Sequence, residues 1–322
     1  MSQKRILVTG ASGCIGHYIS ELLIQETEYE LYLLVRNPDK LQVDIKARPG
    51  IHVLQGDMQK VGNLAELLKT IDVAVLTATA WGGTGTFDIN VAKTIELLNL
   101  LDAEKCEQVI YFSTASVLDK NNQPLKEAGE LGTDYIRSKF DCLRKFSKLP
   151  IEPKITKVFP TLVIGGDENK PPSQVTSGIP EVTKHIGLIR FLKADGSFHF
   201  IHAKDIATVV KHLINNPPKA EEPRKYVLGQ EKITANKAIE EICSYLDKKI
   251  YFRIPLSSSL ADVIIKTFKI QMAAWDKFCM QYRHFSYEEI VNPGTFNLPN
   301  HCDSMSDVLK TSGVEKKLGV RS

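Results

Sequence analysis

Two residues with proton-transfer chemistry stand four positions apart in the chain, Tyr135 and Lys139. On a helix this spacing places both side chains on one face. A free phenol has a pKa of about 10 and exchanges few protons at neutral pH. Because a neighbouring ammonium favours the phenolate, we expect Lys139 to lower the pKa of Tyr135. The pair is therefore predicted to give or take a proton at a bound substrate.

A glycine-rich turn near the N-terminus supplies a second chemical signal, since Gly10, Gly13 and Gly16 follow a short apolar run and open an amphipathic one. In a strand–turn–helix unit the first glycine allows the tight turn. The second lets the backbone approach a pyrophosphate, and the third lets the helix pack against the strand. The free N–H groups at the helix N-terminus then bind the phosphates. The turn predicts a site for a nicotinamide dinucleotide, whose charged ring would further favour the phenolate.

The end of the next strand bears on which dinucleotide is bound. It reads Leu34-Val35-Arg36-Asn37, without the acidic residue that holds the ribose 2′-hydroxyl of NAD. Arg36 suits a 2′-phosphate and favours NADP, with NAD less favoured; the alternative is that Arg36 stacks on adenine. Asp57, after the third strand, could accept from the adenine amino group or cap the following helix.

The elements that must position these residues alternate through the first 160 residues. The predicted strands are Arg5–Thr9, Glu30–Val35, Ile51–Gln55, Val73–Leu76, Gln108–Phe112 and Lys154–Phe159. The predicted helices are Gly13–Gln25, Asn63–Lys69, Phe87–Leu101 and Asp134–Phe146. Apolar strands separated by helices indicate parallel strands with right-handed crossovers. We therefore predict an α/β protein with a doubly wound, Rossmann-type parallel sheet.

The rhythm breaks after Pro160. We predict a dinucleotide-binding domain over residues 1–160 and, over 161–322, a smaller C-terminal domain that mainly binds substrate, with segments returning to the main sheet. Its predicted elements are a strand at Tyr226–Leu228 and helices at Ile206–Leu213, Asn236–Leu246 and Leu260–Phe268, the first of them capped by Asp205. His199 and His202 have no third residue at metal-ligand spacing, so we predict no metal.

Composition excludes several classes of protein. The 322 residues are 43% hydrophobic. Their formal net charge of +3 is too small and too dispersed to indicate a nucleic-acid-binding protein. The six cysteines form no Cys-x-x-Cys pair, which is typical of reduced thiols. No apolar run reaches the roughly 18 residues that span a bilayer, and the start leaves no room for a signal peptide. We expect a cytoplasmic protein that binds a small-molecule substrate, without nucleic-acid or membrane partners.

At this point the residues resemble a family. The motifs that carry the resemblance are the turn Thr9–Gly16, Gly56-Asp57, the Asn90–Thr94 segment, Phe112-Ser113-Thr114 and the Tyr135/Lys139 pair. They are similar to those of extended short-chain dehydrogenase/reductases, an NAD-dependent epimerase/dehydratase-like family. The chain departs from the family at Leu118-Asp119, where Tyr-Gly is usual, which weakens a sugar-nucleotide assignment.

The resemblance implies roles for individual residues. Thr114 would bind the substrate oxygen, with Ser113 as the alternative because a one-residue shift exchanges strand faces. Tyr135 would be the general acid/base, Lys139 would hold the nicotinamide ribose, and Asn90 would hold structure near the active site. The predicted cofactor-binding residues are Gly10, Ser12, Gly13, Cys14, Ile15, Gly16, Arg36, Asp57, Met58, Ala78, Thr79, Tyr135, Lys139 and Pro160. The family also makes a homodimer through exposed helices plausible.

Three functions follow from these residues. The first is an NADP-dependent oxidoreductase that reduces a carbonyl or oxidises the alcohol, with Tyr135 as general acid/base. The second is a sugar-nucleotide epimerase or dehydratase, which returns the hydride to its substrate. The third is a non-catalytic NADP-binding sensor or scaffold, which the Tyr135/Lys139 spacing disfavours. The glycine-rich loop Trp81–Thr86 is interpreted as flexible backbone near cofactor or substrate, or as a plain surface loop.

Overall fold

The computed structural model describes residues 3–257, 267 and 271–316. The strands in this part of the chain are β1 (Arg5–Thr9), β2 (Glu30–Val35), β3 (Ile51–Gln55), β4 (Val73–Leu76), β5 (Gln108–Phe112), β6 (Ile155–Pro160), β7 (Leu162–Ile164), β8 (Leu192–Lys193), β9 (Ser197–Phe198), β10 (Phe200–His202), β11 (Lys225–Leu228), β12 (Ile233–Thr234), β13 (Ile254–Pro255), β14 (His284–Phe285) and β15 (Ile290–Val291). The α-helices are α1 (Cys14–Glu26), α2 (Ala65–Leu68), α3 (Thr94–Leu100), α4 (Lys126–Leu131), α5 (Asp134–Lys145), α6 (Gln174–Ile189), α7 (Ala203–Asn215), α8 (Ala235–Tyr245), α9 (Ala274–Tyr282) and α10 (Met305–Thr311).

Eight of these strands form one sheet in the order β15-β11-β6-β5-β4-β1-β2-β3. All neighbouring strands in it are parallel. From β1 the chain first adds β2 and β3 on one side, and it then crosses to β4 and continues in the other direction. The carboxyl ends of β1 and β4 therefore flank the crevice where ligands bind in such sheets. The doubly wound parallel fold predicted from the sequence is confirmed.

The first strand shows why these strands are apolar along their whole length. Ile6 and Val8 belong to the apolar cluster that includes α1 and α7, on one face of the sheet. Leu7, between them, belongs to the cluster on the other face, which includes α3 and α5. All three side chains are fully buried. Because helices cover both faces, an alternating strand would place polar groups in one core or the other.

A smaller core lies outside the main sheet, where α6, α8 and α10 contribute Ile179, Ile242 and Leu309 to a third apolar cluster. Strands β11 and β15 nevertheless join the main sheet beyond β6. Residues after 160 therefore contribute both to the main sheet and to the smaller core. The domain division at residue 160 stays a prediction.

Predicted and observed elements agree best in the strands. The first six match the predicted bounds to within one residue at each end. The helix predicted over Phe87–Leu101 instead divides into a π-helix, Asp88–Lys93, that runs into α3. Apart from residue 267, the helix predicted at Leu260–Phe268 lies outside the described residues. Of the helices that are described, none is long and apolar enough to cross a membrane.

Candidate functional site

The glycine turn is built as the three glycines predict. Gly10 has a φ of +68°, a conformation that L side chains rarely adopt, and a Cβ there would lie 2.7 Å from the Ala78 nitrogen. A Cβ on Gly16 would lie 2.1 Å from the Gly10 carbonyl oxygen, so only glycine lets α1 approach the turn. Gly13 is exposed and has an ordinary extended backbone. It is therefore the glycine that a ligand can reach.

The N-terminus of α1 fits an anionic group. The first turn of this 13-residue helix contains no acidic residue, and Gly13 at the N-cap offers no side chain to bond its N–H groups. The free N–H groups and the positive end of the helix dipole thus face the crevice. Ser12, Cys14 and Ile15 are half-buried around this end. This donor set suits the pyrophosphate of a dinucleotide.

A buried histidine joins the turn to the segment after β2. The Nδ1 of His17 lies 3.0 Å from the Gly13 carbonyl oxygen, and the Gln42 N–H donates to Nε2 at 3.0 Å. Because Nε2 accepts, Nδ1 carries the proton and donates to Gly13. Burial lowers the pKa of His17 and favours this neutral form. His17 was not singled out from the sequence, where a lone histidine on a helix gives no signal.

Arg36 and Asp57 lie at the carboxyl ends of β2 and β3, and a hydrogen bond of 2.9 Å from the Gly56 N–H to the Val35 carbonyl joins these ends. The Arg36 side chain is exposed and makes no ion pair or hydrogen bond within the described residues. Asp57 caps the following 3-10 helix, with its Oδ1 accepting from the Gln59 N–H at 2.9 Å. The cap is thus the role that the fold itself gives Asp57, while its contact with adenine stays a prediction. Met58, next to it, is buried.

The segment after β4 is tied to both the turn and the π-helix. The Ala78 N–H donates to Thr9 at 3.3 Å. Asn90 is 1% exposed, and its Oδ1 accepts from the Thr79 hydroxyl at 3.0 Å and from the Ala80 N–H at 2.8 Å. Its Nδ2 donates to the Ala80 carbonyl at 2.8 Å. Asn90 therefore fixes the backbone beside the glycine turn.

A second contact of Asn90 reaches the proposed catalytic helix. Its Nδ2 also donates to the Ser138 hydroxyl at 2.9 Å, and that hydroxyl donates to the Tyr135 carbonyl at 2.7 Å. Ser138 was missed in the sequence, although its place three residues after Tyr135 puts it on the same helix face. The π-helix that carries Asn90 is a form often found at functional sites.

Tyr135 and Thr114 are brought together at the end of β5. The pKa of Tyr135 is raised by burial and partly lowered by a hydrogen bond with the Thr114 side chain. Ser113, the alternative, is buried, and its hydroxyl finds no partner among the described residues. Thr114 is therefore the residue whose hydroxyl lies beside the Tyr135 phenol.

Lys139 does not act on the phenol as the sequence predicts. Its Nζ donates to the Phe112 carbonyl at 2.8 Å and lies 6.0 Å from the centre of the Tyr135 ring. Burial lowers the pKa of Lys139 to about 8. The prediction that this ammonium lowers the pKa of Tyr135 is wrong for the protein without a bound ligand, because burial has the larger effect on that pKa. The phenol is thus protonated at neutral pH.

The loop after β4 places an aromatic ring on Tyr135. The Trp81 and Tyr135 ring centres are 4.3 Å apart, with the planes inclined by 29°. Trp81 is nevertheless 55% exposed. The loop thus lies against Tyr135 through the Trp81 side chain, while its contact with cofactor or substrate stays a prediction.

The histidines of the second half have structural roles. His199 lies with Nδ1 2.7 Å from the Gln230 carbonyl oxygen, and its Nε2 accepts from the Tyr287 N–H at 3.2 Å. His202 caps α7, since its Nδ1 accepts from the Lys204 N–H at 3.0 Å. In the described part of the chain, no group of three potential ligands could hold a metal ion.

The predicted capping role of Asp205 is wrong. Helix α7 begins two residues earlier, at Ala203, so Asp205 lies inside its first turn. Its carboxylate instead accepts from the backbone N–H groups of His301 at 2.6 Å and Cys302 at 3.3 Å. Burial raises the pKa of Asp205 to about 6, with these bonds opposing the shift.

The sheet thus gathers the predicted residues along one edge, in the order of its strands. Pro160 ends β6, Thr114 follows β5, and Ala78 and Thr79 follow β4. The glycine turn follows β1, and Arg36 and Asp57 follow β2 and β3. The arrangement offers an anion site at α1 and a phenol with a hydroxyl at the end of β5.

Comparison with known proteins agrees with this geometry. The family model of the NAD dependent epimerase/dehydratase family matches residues 6–229. The solved dTDP-glucose 4,6-dehydratase of Bacillus anthracis, in complex with NAD, has a similar fold, with a TM-score of 0.65 and 15% identity over 96% of both chains.

Two curated relatives are similar over shorter stretches. Quinone oxidoreductase 2 of Escherichia coli (strain K12) is 29% identical over 126 residues, 39% of this chain and 41% of that protein. Probable pinoresinol-lariciresinol reductase 3 of Arabidopsis thaliana is 33% identical over 76 residues, 23% of this chain and 24% of that protein. The chain thus spans less than half the length of either relative.

Proposed function

Because the chain belongs to the NAD dependent epimerase/dehydratase family, we propose that it is an NAD(P)-dependent oxidoreductase of the short-chain dehydrogenase/reductase type. In this proposal it reduces the carbonyl group of a small molecule with NADPH. Tyr135 is the proton donor in this proposal. The observation that carries it is the Tyr135 phenol beside the Thr114 hydroxyl at the end of β5, two strands from β1 and its glycine turn. Both curated relatives, named as an oxidoreductase and a reductase, support the same class of reaction.

The structure is compatible with Tyr135 as the proton donor of the reduction. A phenol whose pKa lies above its ordinary value holds its proton at neutral pH and can donate it to a developing alkoxide. The Thr114 hydroxyl is placed to donate to the same oxygen. A bound reduced nicotinamide would supply the hydride to the carbonyl carbon. The carbonyl thus gains a hydride on carbon and the Tyr135 proton on oxygen, which gives the alcohol.

Lys139 and Asn90 support this pair. Lys139 is buried and fixed on the Phe112 carbonyl, so its remaining N–H groups can hold the hydroxyls of a nicotinamide ribose. Asn90 positions Ala80 and the start of α5 through Ser138. We assign Asn90 as a positioning residue and Thr114, Tyr135 and Lys139 as the residues that touch substrate or cofactor.

Arg36 supports NADPH as the cofactor. Its guanidinium is exposed at the end of β2 and unpaired within the described residues, so no competing carboxylate neutralises it. A guanidinium binds a phosphate through two parallel hydrogen bonds. NADPH should therefore raise the thermal midpoint more than NADH at equal concentration, and Arg36→Ala should remove most of the difference.

Tyr135→Phe tests the proton donor. We expect turnover of NADPH with a carbonyl substrate to fall by several orders of magnitude, since the proton donor is lost. The thermal shift with NADPH should persist, because Tyr135 lies outside the glycine turn. The matched control is Tyr29→Phe, whose hydroxyl bonds Asn215 on the surface and should leave turnover unchanged. Full turnover in Tyr135→Phe would refute the mechanism.

The same measurements separate the other two functions. Purified protein that carries tightly bound nucleotide and consumes no NADPH in net terms would point to an epimerase or dehydratase. Protein that binds NADPH and transfers no hydride would be a sensor or scaffold if its Tyr135→Phe variant kept full biological activity.

A further inference from the structure

Lys139 is a buried ammonium without a charged partner. Its side chain is 3% exposed, and its Nζ donates to the Phe112 carbonyl at 2.8 Å. Among the described residues, no carboxylate forms an ion pair with it. Because an unpaired charge is costly to bury, another group has to favour the ammonium over the neutral amine.

The ring of Tyr111 lies against this ammonium. The Lys139 Nζ is over the ring, 5.1 Å from its centre, which is within the range at which an aromatic face attracts a cation. Tyr111 is a β5 residue and is 1% exposed, and the ring of Phe146 packs edge-on against it with centres 4.8 Å apart. The Tyr111 ring is therefore held in place and away from water, where a cation–π contact is strongest.

The other side chains around the ammonium carry no charge near neutral pH. The titratable groups that face it are Tyr111 from β5 and Tyr135 and Cys142 from α5. Burial raises the pKa of both phenols above the ordinary value and the pKa of Cys142 to about 11. The π-helix packed on α5 contributes a neutral amide, Asn90, which is bonded to Ser138. The Tyr111 ring face and one backbone carbonyl are thus the groups that favour the charge.

From these contacts we propose that Tyr111 is a positioning residue of the site, whose ring face keeps the Lys139 ammonium charged and fixed beside the Phe112 carbonyl. The proposal rests on the proposed role of Lys139 in holding the cofactor. The Lys139 Nζ also lies 6.0 Å from the centre of the Tyr135 ring, so its charge stabilises the phenolate that remains when Tyr135 has donated its proton. Tyr111 thus acts on the reaction through Lys139.

The test weakens the ring face without opening a cavity. Tyr111→Phe keeps the ring, and 3,4,5-trifluorophenylalanine at the same position withdraws electron density from the ring face at nearly constant size. The ionisation of Lys139 is followed by NMR in protein whose lysines are isotopically labelled at Cε, and its signal is assigned by its loss in Lys139→Arg. In the wild type and in Tyr111→Phe, the pKa of Lys139 should be about 8. With the fluorinated ring, the titration midpoint should fall by about one pH unit.

Phe159 provides the matched control. It is a buried ring at the end of β6, and the Nζ of another lysine, Lys225, lies over it at 5.7 Å from the centre. The same fluorinated residue in place of Phe159 should leave the midpoint of Lys139 unchanged. An equal fall with either replacement, or a Lys139 midpoint that fluorination of the Tyr111 position does not move, would overturn the proposal.

Calorimetric titration with NADPH at a series of pH values separates this proposal from the reaction on which it rests. If Lys139 holds the ribose as an ammonium, the affinity for NADPH should fall as the pH rises through the Lys139 midpoint. This fall should move to lower pH with the fluorinated ring. An affinity that does not depend on pH, while fluorination still lowers the midpoint, would refute the role of Lys139 in cofactor binding and keep the effect of Tyr111 on Lys139.

Discussion

The proposed dinucleotide site can be tested by mutation of the glycine turn, because Gly13 and Gly16 have different structural roles. A Cβ on Gly16 would lie 2.1 Å from the Gly10 carbonyl oxygen and 2.8 Å from the Ala11 Cα, so backbone must shift by roughly 1 Å. Overpacking of this kind costs about 1–3 kcal/mol, and the helix propensity of alanine returns about 1 kcal/mol. Since both contacts are to backbone, we expect Gly16→Ala to lower the free energy of unfolding by about 2 kcal/mol.

Gly13→Ala should behave in the opposite way. Its Cβ would approach one atom, the Gly10 carbonyl oxygen at 3.3 Å, and its φ of −84° suits alanine. The free energy of unfolding should therefore change by no more than about 0.5 kcal/mol. Its affinity for NADPH should still fall at least tenfold, because the methyl group occupies the space that the pyrophosphate needs.

Urea unfolding without ligand measures the first quantity for both variants, and calorimetric titration with NADPH measures the second. The wild type is the reference, and Gly16→Ala should lose both stability and affinity. A Gly16→Ala protein as stable as the wild type would contradict the close approach of α1 to the turn. A Gly13→Ala protein with wild-type affinity would show that the pyrophosphate binds elsewhere.

Two further substitutions probe the residues around the site. Asn90→Ala leaves the N–H and carbonyl of half-buried Ala80 without their partner and removes a fully buried, hydrogen-bonded amide, so the free energy of unfolding should fall by about 3 kcal/mol. Urea unfolding beside the exposed control Asn99→Ala checks this, and a loss under about 1 kcal/mol would contradict it. Burial lowers the pKa of His202 to about 3, so the folded protein keeps this histidine neutral while the unfolded chain protonates it near pH ~6.5. The wild type should therefore lose about 2 kcal/mol relative to His202→Asn, which keeps a cap for Lys204, as the pH falls from 7.5 to 5. A stability difference that stays constant across this pH range would exclude His202 as the titrating group.

Local patterns in the sequence were sufficient for the fold and for the cofactor turn. A parallel strand covered on both faces must be apolar throughout, and runs such as Ile6–Val8 therefore reveal the sheet. The turn needs Gly10 and Gly16 because a Cβ at either position would clash with backbone atoms. The spacing of the glycines in the sequence therefore predicts the geometry of the turn. The spacing of Tyr135 and Lys139 likewise follows from one helix, α5.

Contacts between distant segments were decided by the tertiary structure alone. Lys139 reaches the Phe112 carbonyl, 27 positions away, and burial sets the pKa of the neighbouring phenol in the direction opposite to the sequence prediction. His202 rather than Asp205 caps α7, because the Asp205 carboxylate accepts hydrogen bonds from the backbone N–H groups of residues 301 and 302. Trp81 stacks on Tyr135 across 54 positions of chain. Sequence spacing predicts which side chains share one helix or strand, but only packing determines which elements meet and how much water they exclude.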